Sequence, residues 1–320
     1  MIGLKSLLGR ASPEGPSARL SLLIFHRVHP VIDPMLPTEV DATRFDRICR
    51  WLARWFNVLP LDQAMVLRRQ GALPTRALSI TFDDGYADNH DVALPILRAQ
   101  GLTATFFIAT SFLDGGRMFN DTVVEAVRNA RSERIDPAEW FDDAEALPLV
   151  SLDDRRRAAA SIIGRVKYLP VQRRQEVVDA LARRLGATLP DGLMMRSAQV
   201  SSLYRAGMQI GAHTQTHPIL RGVSREQVRA EIEGSRRVLE GLVDARVGLF
   251  AYPNGKPDVD FDAQAVDVVQ SLGFDAAVTT VRGAAGPQTN PLLLPRHTPW
   301  EHDRLRFGYR LLETLRMPAP

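Results

Sequence analysis

The sequence predicts an α/β fold built on a mainly parallel sheet that helices cover on both sides. Seven short apolar runs rich in β-branched or aromatic residues recur along the chain, and segments with helical periodicity lie between most of them. Continuous apolar strands that alternate with helices are typical of parallel sheets with two buried faces. At 320 residues the chain is long enough for one α/β barrel or for two ordinary domains.

The predicted strands are LSLLIF at 20–25, ALSITF at 77–82, TATFFIAT at 103–110, MQIGAH at 208–213, VGLFAYP at 247–253, DAAVTT at 275–280 and LLLPRH at 292–297. Residues 224–243 predict a helix, because Ser224 and Gln227 form a capping-box pattern and apolar residues recur on one helical face. Residues 117–200 interrupt the alternation. They are charged, largely helical in pattern and lack a convincing strand, so we expect a helical insertion between two strand units.

Charge and hydropathy exclude some classes of function. The net charge is +3 with a pI near 9.3, and the arginines are interleaved with acids along helices, which favours solvated faces and no nucleic-acid partner. No stretch reaches the roughly 18 apolar residues of a membrane span, and the apolar runs of the N-terminal 30 residues are shorter than the roughly 7 to 15 residues of a secretory signal. We therefore expect a cytoplasmic protein. The segment LKSLLGR at 4–10 leaves open a peripheral association with the inner membrane surface.

Two motifs end predicted strands with polar side chains. Asp83 and Asp84 follow ALSITF and precede Gly85, in a DDG pattern that by itself is common in turns. His213 and His217 lie four residues apart in GAHTQTHP, at the end of another strand. In an extended chain these histidines would be about 13 Å apart, so a shared ligand requires a turn or a helix.

The conjunction of the two motifs predicts a metal site. The carboxyl ends of parallel strands form one ligand-binding face, which brings both motifs together. Imidazole nitrogens bind divalent metals at about 2.0–2.1 Å, and catalytic sites typically combine three protein ligands with an open position for water. Two histidines and one aspartate meet that requirement.

The pattern TFDDG followed by H-[ST]-x-x-H resembles the polysaccharide deacetylase, or NodB-homology, family of carbohydrate esterases, over about 75–115 and 200–300. The resemblance implies a distorted (β/α) barrel of about seven mainly parallel strands. It also implies a divalent metal, with Zn²⁺ expected and Co²⁺, Ni²⁺ or Mn²⁺ as alternatives, and hydrolysis of N-acetyl or O-acetyl groups on sugars. Residue by residue, Asp83 matches the general base, and the metal ligands match Asp84, His213 and His217.

A third motif agrees with the family in part. FAYPNG is similar to the family's P-[YF]-G motif, whose backbone N–H helps to hold the oxyanion, but Asn254 replaces the aromatic residue. We expect Asn254 to keep the backbone donor and Tyr252 to supply the aromatic wall of the substrate groove. The arginine that commonly precedes this motif and steadies the base is missing, and Arg296 is the candidate replacement.

Two histidines are candidates for the acid that protonates the departing amine. His26, in LLIFHRVHP, resembles the N-terminal YH-x-V pattern of the branch that includes poly-N-acetylglucosamine deacetylases, and it is preferred. Other family members use a histidine near the C-terminal end of the domain, and LLLPRHTPW offers His297. We expect His29, His90 and His302 in loops or on the surface, with His29 close enough to His26 to be a weak pocket candidate.

We therefore expect residues 1–320 to form a single polysaccharide deacetylase domain. Its barrel includes the strand at about 20–30 and a core at about 75–116 and 200–300, with the insertion at 117–200 and a C-terminal helix or tail at 301–320. The expected activity is metal-dependent removal of N-acetyl groups from a sugar, oligosaccharide or glycan precursor. Hydrolysis of an O-acetyl ester or another amide, and a metal-free sugar-binding module, are the alternatives.

Overall fold

The computed structural model describes residues 3–142 and 145–317. Its strands are β1 (Ser21–Phe25), β2 (Val28–His29), β3 (Val40–Asp41), β4 (Asn57–Val58), β5 (Ala77–Phe82), β6 (Thr105–Ile108), β7 (Arg134–Ile135), β8 (Leu147–Pro148), β9 (Gln209–Ala212), β10 (Leu249–Ala251), β11 (Ala276–Arg282) and β12 (Leu294–Arg296). Its α-helices are α1 (Leu4–Ala11), α2 (Ala42–Trp55), α3 (Leu61–Arg69), α4 (Leu94–Ala99), α5 (Phe119–Arg128), α6 (Leu152–Val166), α7 (Val171–Leu185), α8 (Ser197–Arg205), α9 (Arg225–Val243), α10 (Ala263–Ser271) and α11 (Arg304–Arg316).

Seven parallel strands form a nearly closed barrel in the order β1–β5–β6–β9–β10–β11–β12, and β4 adds a short pairing to β5. A parallel bridge between Leu23 and His297 links the first and last strands of this order. The seven predicted strands coincide with these seven, so the predicted distorted (β/α) barrel is confirmed. Because all the strands run the same way, their carboxyl ends meet at one rim of the barrel.

Helices other than α5, α6 and α7 form the outer layer of the barrel, because their apolar residues pack into the clusters that the strands share. Helix α9 illustrates how the sequence sets these bounds. The Ser224 side chain accepts a hydrogen bond from the Gln227 backbone N–H and so begins the helix. Val228, Ile232 and Leu239 are buried against the barrel core, as their helical spacing predicts.

Residues of the predicted insertion pack around a second hydrophobic cluster. Helices α5, α6 and α7 bury a set of aliphatic side chains that includes Val123, Ile162, Val178 and Leu181. Two short strands, β7 and β8, form an antiparallel pair here that we did not predict. Two-residue strands leave too little alternation in the sequence to be recognised. The boundaries of the insertion at 117–200 stay a prediction.

Among the described residues, none of the helices combines the length and the hydrophobicity that crossing a bilayer requires. The C-terminal part of the chain forms α11, and residues 318–320 of the predicted tail lie outside the described residues.

Candidate active site

Asp83 and Asp84 lie at the carboxyl end of β5, where the chain turns away from the barrel. The Asp83 backbone N–H donates to the Phe25 carbonyl, so β1 fixes the start of the turn. Asp84 and Gly85 both have left-handed backbone conformations, with φ of 77° and 93°. A Cβ at position 85 would lie 3.1 Å from Ile108 Cγ2, which favours glycine there. Both carboxylates are buried as a result.

His213 and His217 lie on the turn that follows β9. Thr214 and His217 adopt positive φ angles, and the Thr214 hydroxyl accepts a hydrogen bond from the His217 backbone N–H. This turn brings the two imidazole ring centres to 4.8 Å from each other. Nδ1 of His213 lies 2.8 Å from the Ala251 carbonyl oxygen, which favours the tautomer with a free Nε2.

Three ligand atoms converge at this point. Nε2 of His213 and Nε2 of His217 lie 3.3 Å and 3.5 Å from Oδ1 of Asp84. Ligand atoms bound tetrahedrally at about 2.0–2.1 Å are about 3.4 Å apart, so the spacing fits a metal of zinc's size. Oδ1 of Asp84 is buried and has no hydrogen-bond donor among the described residues. The three side chains therefore could hold a divalent metal.

The electrostatic surroundings of Asp84 and His217 agree with the chemistry of metal ligands. Burial alone would raise the pKa of Asp84, but the two facing histidines hold it below its usual range. Burial lowers the pKa of His217 to about 3, which keeps this ring neutral. Burial alone would also lower the pKa of His213, but the Asp84 and Asp83 carboxylates raise it above its usual value. An ionised carboxylate and a neutral imidazole are the forms that bind metals.

Arg296, on β12, pairs with Asp83 inside the barrel. Its two terminal nitrogens donate hydrogen bonds of 2.7 Å to the two carboxylate oxygens of Asp83. Its other donor contacts are the Thr279 carbonyl and the Thr81 hydroxyl, so the guanidinium is held in one orientation. Burial alone would raise the pKa of Asp83, but the Arg296 charge keeps it below its usual range. The pair lies beside the possible metal ligands, and both its members are buried.

A pocket of about 270 Å³ opens at this rim of the barrel, and His26, Asp83, Asp84 and Asn254 line it together with the two histidines of the turn after β9. The backbone N–H of Asn254, in the turn after β10, has no hydrogen-bond acceptor among the described residues. Asn254 has a φ of 59°, a conformation that asparagine tolerates better than most residues.

His297 lies in a different place from His26. Its side chain is buried, lines a neighbouring cavity and has Nε2 at 3.8 Å from the Glu301 carboxylate. His26 follows β1 and lines the pocket that contains Asp83. The structure thus brings His26, and not His297, into one pocket with the two carboxylates.

Two sequence-based expectations are wrong. Tyr252 does not form the wall of a groove, because it is fully buried and its ring stacks on Phe261 with centroids 3.9 Å apart. His29 is not a loop or surface residue. It lies in β2, which pairs with β3, and its side chain is buried. His90 is half-buried in a π-helical turn at Asn89–Ala93, and His302 is exposed.

One wall of the pocket comes from the predicted insertion and was not predicted from the sequence. Phe119, Asn120, Ile163 and Lys167 line the pocket from α5 and from the end of α6. On the sequence these residues belong to ordinary amphipathic helices, so no local signal marks them. Thr280, at the carboxyl side of β11, also lines the pocket, and its position at a strand end could have indicated it.

Comparison with known proteins agrees with this geometry. The sequence profile of the polysaccharide deacetylase family matches residues 70–135 and 171–277, together more than half of the chain. YxkH of Bacillus subtilis (strain 168) is 18% identical over 270 residues, which cover 84% of this chain and 67% of YxkH.

Solved structures share the fold. The Streptococcus pyogenes deacetylase PplD in complex with acetate aligns with a TM-score of 0.61 at 18% identity, over 94% of this chain and 100% of PplD. IcaB from Ammonifex degensii aligns with a TM-score of 0.61 at 15% identity, over 94% of this chain and 98% of IcaB. The predicted family and enzyme class are confirmed, and the chain belongs to the polysaccharide deacetylase family.

Proposed function

We propose that this protein is a metal-dependent hydrolase that removes N-acetyl groups from an N-acetylated sugar, oligosaccharide or glycan precursor and releases acetate. The observation that carries the proposal is the convergence of Asp84, His213 and His217 beside the Asp83–Arg296 pair in one pocket. A carboxylate and two imidazoles suit Zn²⁺, with Co²⁺, Ni²⁺ or Mn²⁺ as alternatives. A bound divalent metal supplies Lewis-acid polarisation and lowers the pKa of coordinated water from about 15.7 toward 7.

In this proposal Asp83 is the general base that takes a proton from the attacking water. Its two oxygens accept hydrogen bonds from Arg296, which fixes the carboxylate plane and keeps it ionised. Each oxygen retains a second acceptor site for the water. Arg296 is therefore a positioning residue, and it acts through Asp83.

The remaining roles follow from what lines the pocket. The backbone N–H of Asn254 donates to the oxyanion that forms when the acetyl carbon becomes tetrahedral. His26, in the same pocket, donates a proton to the sugar nitrogen as the carbon–nitrogen bond breaks. The products are a free amine on the sugar and acetate.

The test measures bound metal and acetate release together over a panel of N-acetylated sugars, O-acetyl esters and other amides. We expect one equivalent of metal and activity on N-acetyl sugars. Asp83→Asn should retain the metal and lose at least a hundredfold in kcat, because it removes the base and keeps the shape. Full activity in Asp83→Asn would refute the assignment. A preference for O-acetyl esters or for other amides would favour the alternative function, hydrolysis of that class of substrate.

The predicted cytoplasmic location and the peripheral association with the inner membrane surface stay predictions. Cell fractionation at low and at high salt checks both, because salt weakens the attraction between basic segments and anionic lipids.

A further inference from the structure

A second cavity adjoins the active-site pocket on the side of helix α7. Its volume is about 420 Å³, and Phe119 lines both this cavity and the active-site pocket. Thr216, which directly precedes His217, lines it from the barrel side, and the first turn of α7 lines it from the other side. The deacetylation roles described for the active-site pocket use none of these groups. We call this space the Arg174 cavity, after the charged residue on its wall.

Arg174 is a cation that the fold buries almost completely. Only 4% of its surface is exposed, and its guanidinium carbon lies 4.3 Å from the centre of the Phe119 ring. Within residues 3–142 and 145–317, no carboxylate forms an ion pair or a hydrogen bond with this guanidinium. Arginines are almost never this deeply buried unless they are paired, because the lost hydration of the charge must be compensated.

Three carboxylates lie on or near the cavity wall, and each keeps its negative charge but accepts hydrogen bonds from groups other than Arg174. Glu231 attracts Arg174 from a distance, but its oxygens accept hydrogen bonds from the backbone N–H groups of Gln215 and Thr216 and from the Thr216 hydroxyl. Glu176 and Asp179, which line the cavity on α7, each accept a hydrogen bond from a glutamine of the same helix. Burial lowers the pKa of Arg174, and Glu231 offsets this only in part.

The N-terminus of α7 adds further positive potential to the same wall. Helix α7 has 15 residues, and Pro170 before it provides no side-chain cap. Within the described part of the chain, the backbone N–H groups of residues 171–173 have no hydrogen-bond acceptor. An uncapped helix N-terminus offers free donors and the positive end of the helix dipole, which favours anions.

We propose that the Arg174 cavity binds a phosphate-type group carried by the acetylated sugar substrate. The planar guanidinium and the free N–H groups of a helix N-terminus both complement phosphate oxygens. Because Phe119 borders both spaces, one substrate can occupy the active-site pocket with its acetamide and the Arg174 cavity with its phosphate. The statement about the sugar rests on the proposed deacetylase function, whereas the anion site rests on the cavity alone.

The first experiment titrates inorganic phosphate into the metal-loaded enzyme by calorimetry. Arg174→Gln should raise the Kd for phosphate at least tenfold, and Arg174→Lys, which keeps the charge, should raise it less. The matched control is Arg173→Gln, because Arg173 lies on the same turn and carries the same charge but is exposed. Its Kd should stay within twofold of the wild-type value. Equal binding to all these proteins would mean that phosphate binds elsewhere, such as at the metal, and would overturn the proposal.

The second experiment compares deacetylation of N-acetylglucosamine 1-phosphate and N-acetylglucosamine. We expect the wild type and Arg173→Gln to show at least a tenfold lower KM for the phosphorylated sugar, and Arg174→Gln to lose this preference. Phosphate binding could depend on Arg174 while the enzyme has the same KM for both sugars. In that case the cavity binds a free phosphate ion, and the proposal that the phosphate belongs to the substrate is overturned. If neither sugar and no other N-acetylated substrate of the panel is deacetylated while phosphate binding still depends on Arg174, the proposed function fails and the anion site stands.

Discussion

At the residue scale, His26 and His297 differ in the cavity that each side chain faces. His26 shares a pocket with Asp83 and Asp84, whereas His297 is buried near Glu301. We expect His26→Ala to lower kcat on N-acetylated sugars by about 10²–10⁴-fold, the usual loss when a general acid is removed. His297→Ala should lower kcat less. Acetate release measures both, and melting temperatures control for misfolding.

The type of leaving group gives a sharper test of the acid. An activated alcohol can leave an ester without being protonated. The loss of kcat in His26→Ala should therefore be smaller on such an ester than on an N-acetylated sugar. If His297 has a structural role, His297→Ala should lower kcat by the same factor on both substrates. A larger amide-specific loss in His297→Ala would reverse the assignment of the acid.

Asp121 makes stability depend on pH. It lies on α5, receives a hydrogen bond of 3.3 Å from the Tyr86 hydroxyl and has its second oxygen buried without a partner among the described residues. Burial raises the pKa of Asp121 to about 7, whereas an unfolded aspartate titrates near about 3.9. Between these values the folded protein binds more protons than the unfolded chain, so this group costs stability as the pH rises.

We therefore expect the free energy of unfolding of Asp121→Asn, relative to that of the wild type, to increase as the pH rises from 4 to 7. Above pH 7 the difference should stay constant up to pH 8. Urea unfolding in a buffer with chelator measures the difference at each pH. The control is Asp267→Asn on α10, an exposed aspartate, for which we expect a smaller change with pH. A stability difference for Asp121→Asn that is constant with pH would contradict the prediction.

At the scale of elements, the packing of α7 against α5 and α6 holds one wall of the active-site pocket. Leu181 of α7 is 1% exposed in the cluster that these helices share. Leu181→Ala should lower the free energy of unfolding by about 2–5 kcal/mol, because it leaves a cavity among packed side chains. Urea unfolding measures the loss. Leu152→Ala on α6, where the leucine is 41% exposed, is the control and should cost well under half as much.

Equal losses in the two leucine variants would mean that the cluster is not tightly packed. The same measurements bear on the predicted insertion at 117–200. If fluorescence of the barrel and proteolysis of these helices report separate transitions in Leu181→Ala, the insertion unfolds on its own. A single transition would show that it unfolds together with the barrel.

At the scale of the whole molecule, metal binding should couple to folding stability. The three ligand atoms come from the ends of β5 and β9, so they meet only in the folded barrel. Free metal at about 100 times its Kd would stabilise the folded state by about 2.7 kcal/mol. Dialysis against a chelator should therefore lower the melting temperature, and added Zn²⁺ should restore it. Asp84→Ala should respond to neither treatment, and an equal response in that variant would place the metal elsewhere.

Seven parallel strands could be predicted from the sequence because buried strands consist of continuous apolar runs, such as ALSITF before Asp83. The same reasoning located the α9 cap at Ser224, since capping is a local interaction. Strands of two residues escaped prediction because they carry no periodicity. The buried position of Tyr252 escaped it too, because an aromatic residue after a strand can turn inward or outward depending on what packs beside it.

The sequence by itself determined the barrel class and which residues end its strands, because strand periodicity and chemically distinctive motifs are local. It also indicated Arg296 as a partner for Asp83, but only the tertiary structure decided that β12 places the guanidinium against both carboxylate oxygens. The choice of His26 over His297 for the pocket, and the placement of Arg174 beside it, likewise required the fold. Contacts between residues more than fifty positions apart depend on how helices and strands pack, and no short stretch of sequence encodes that packing.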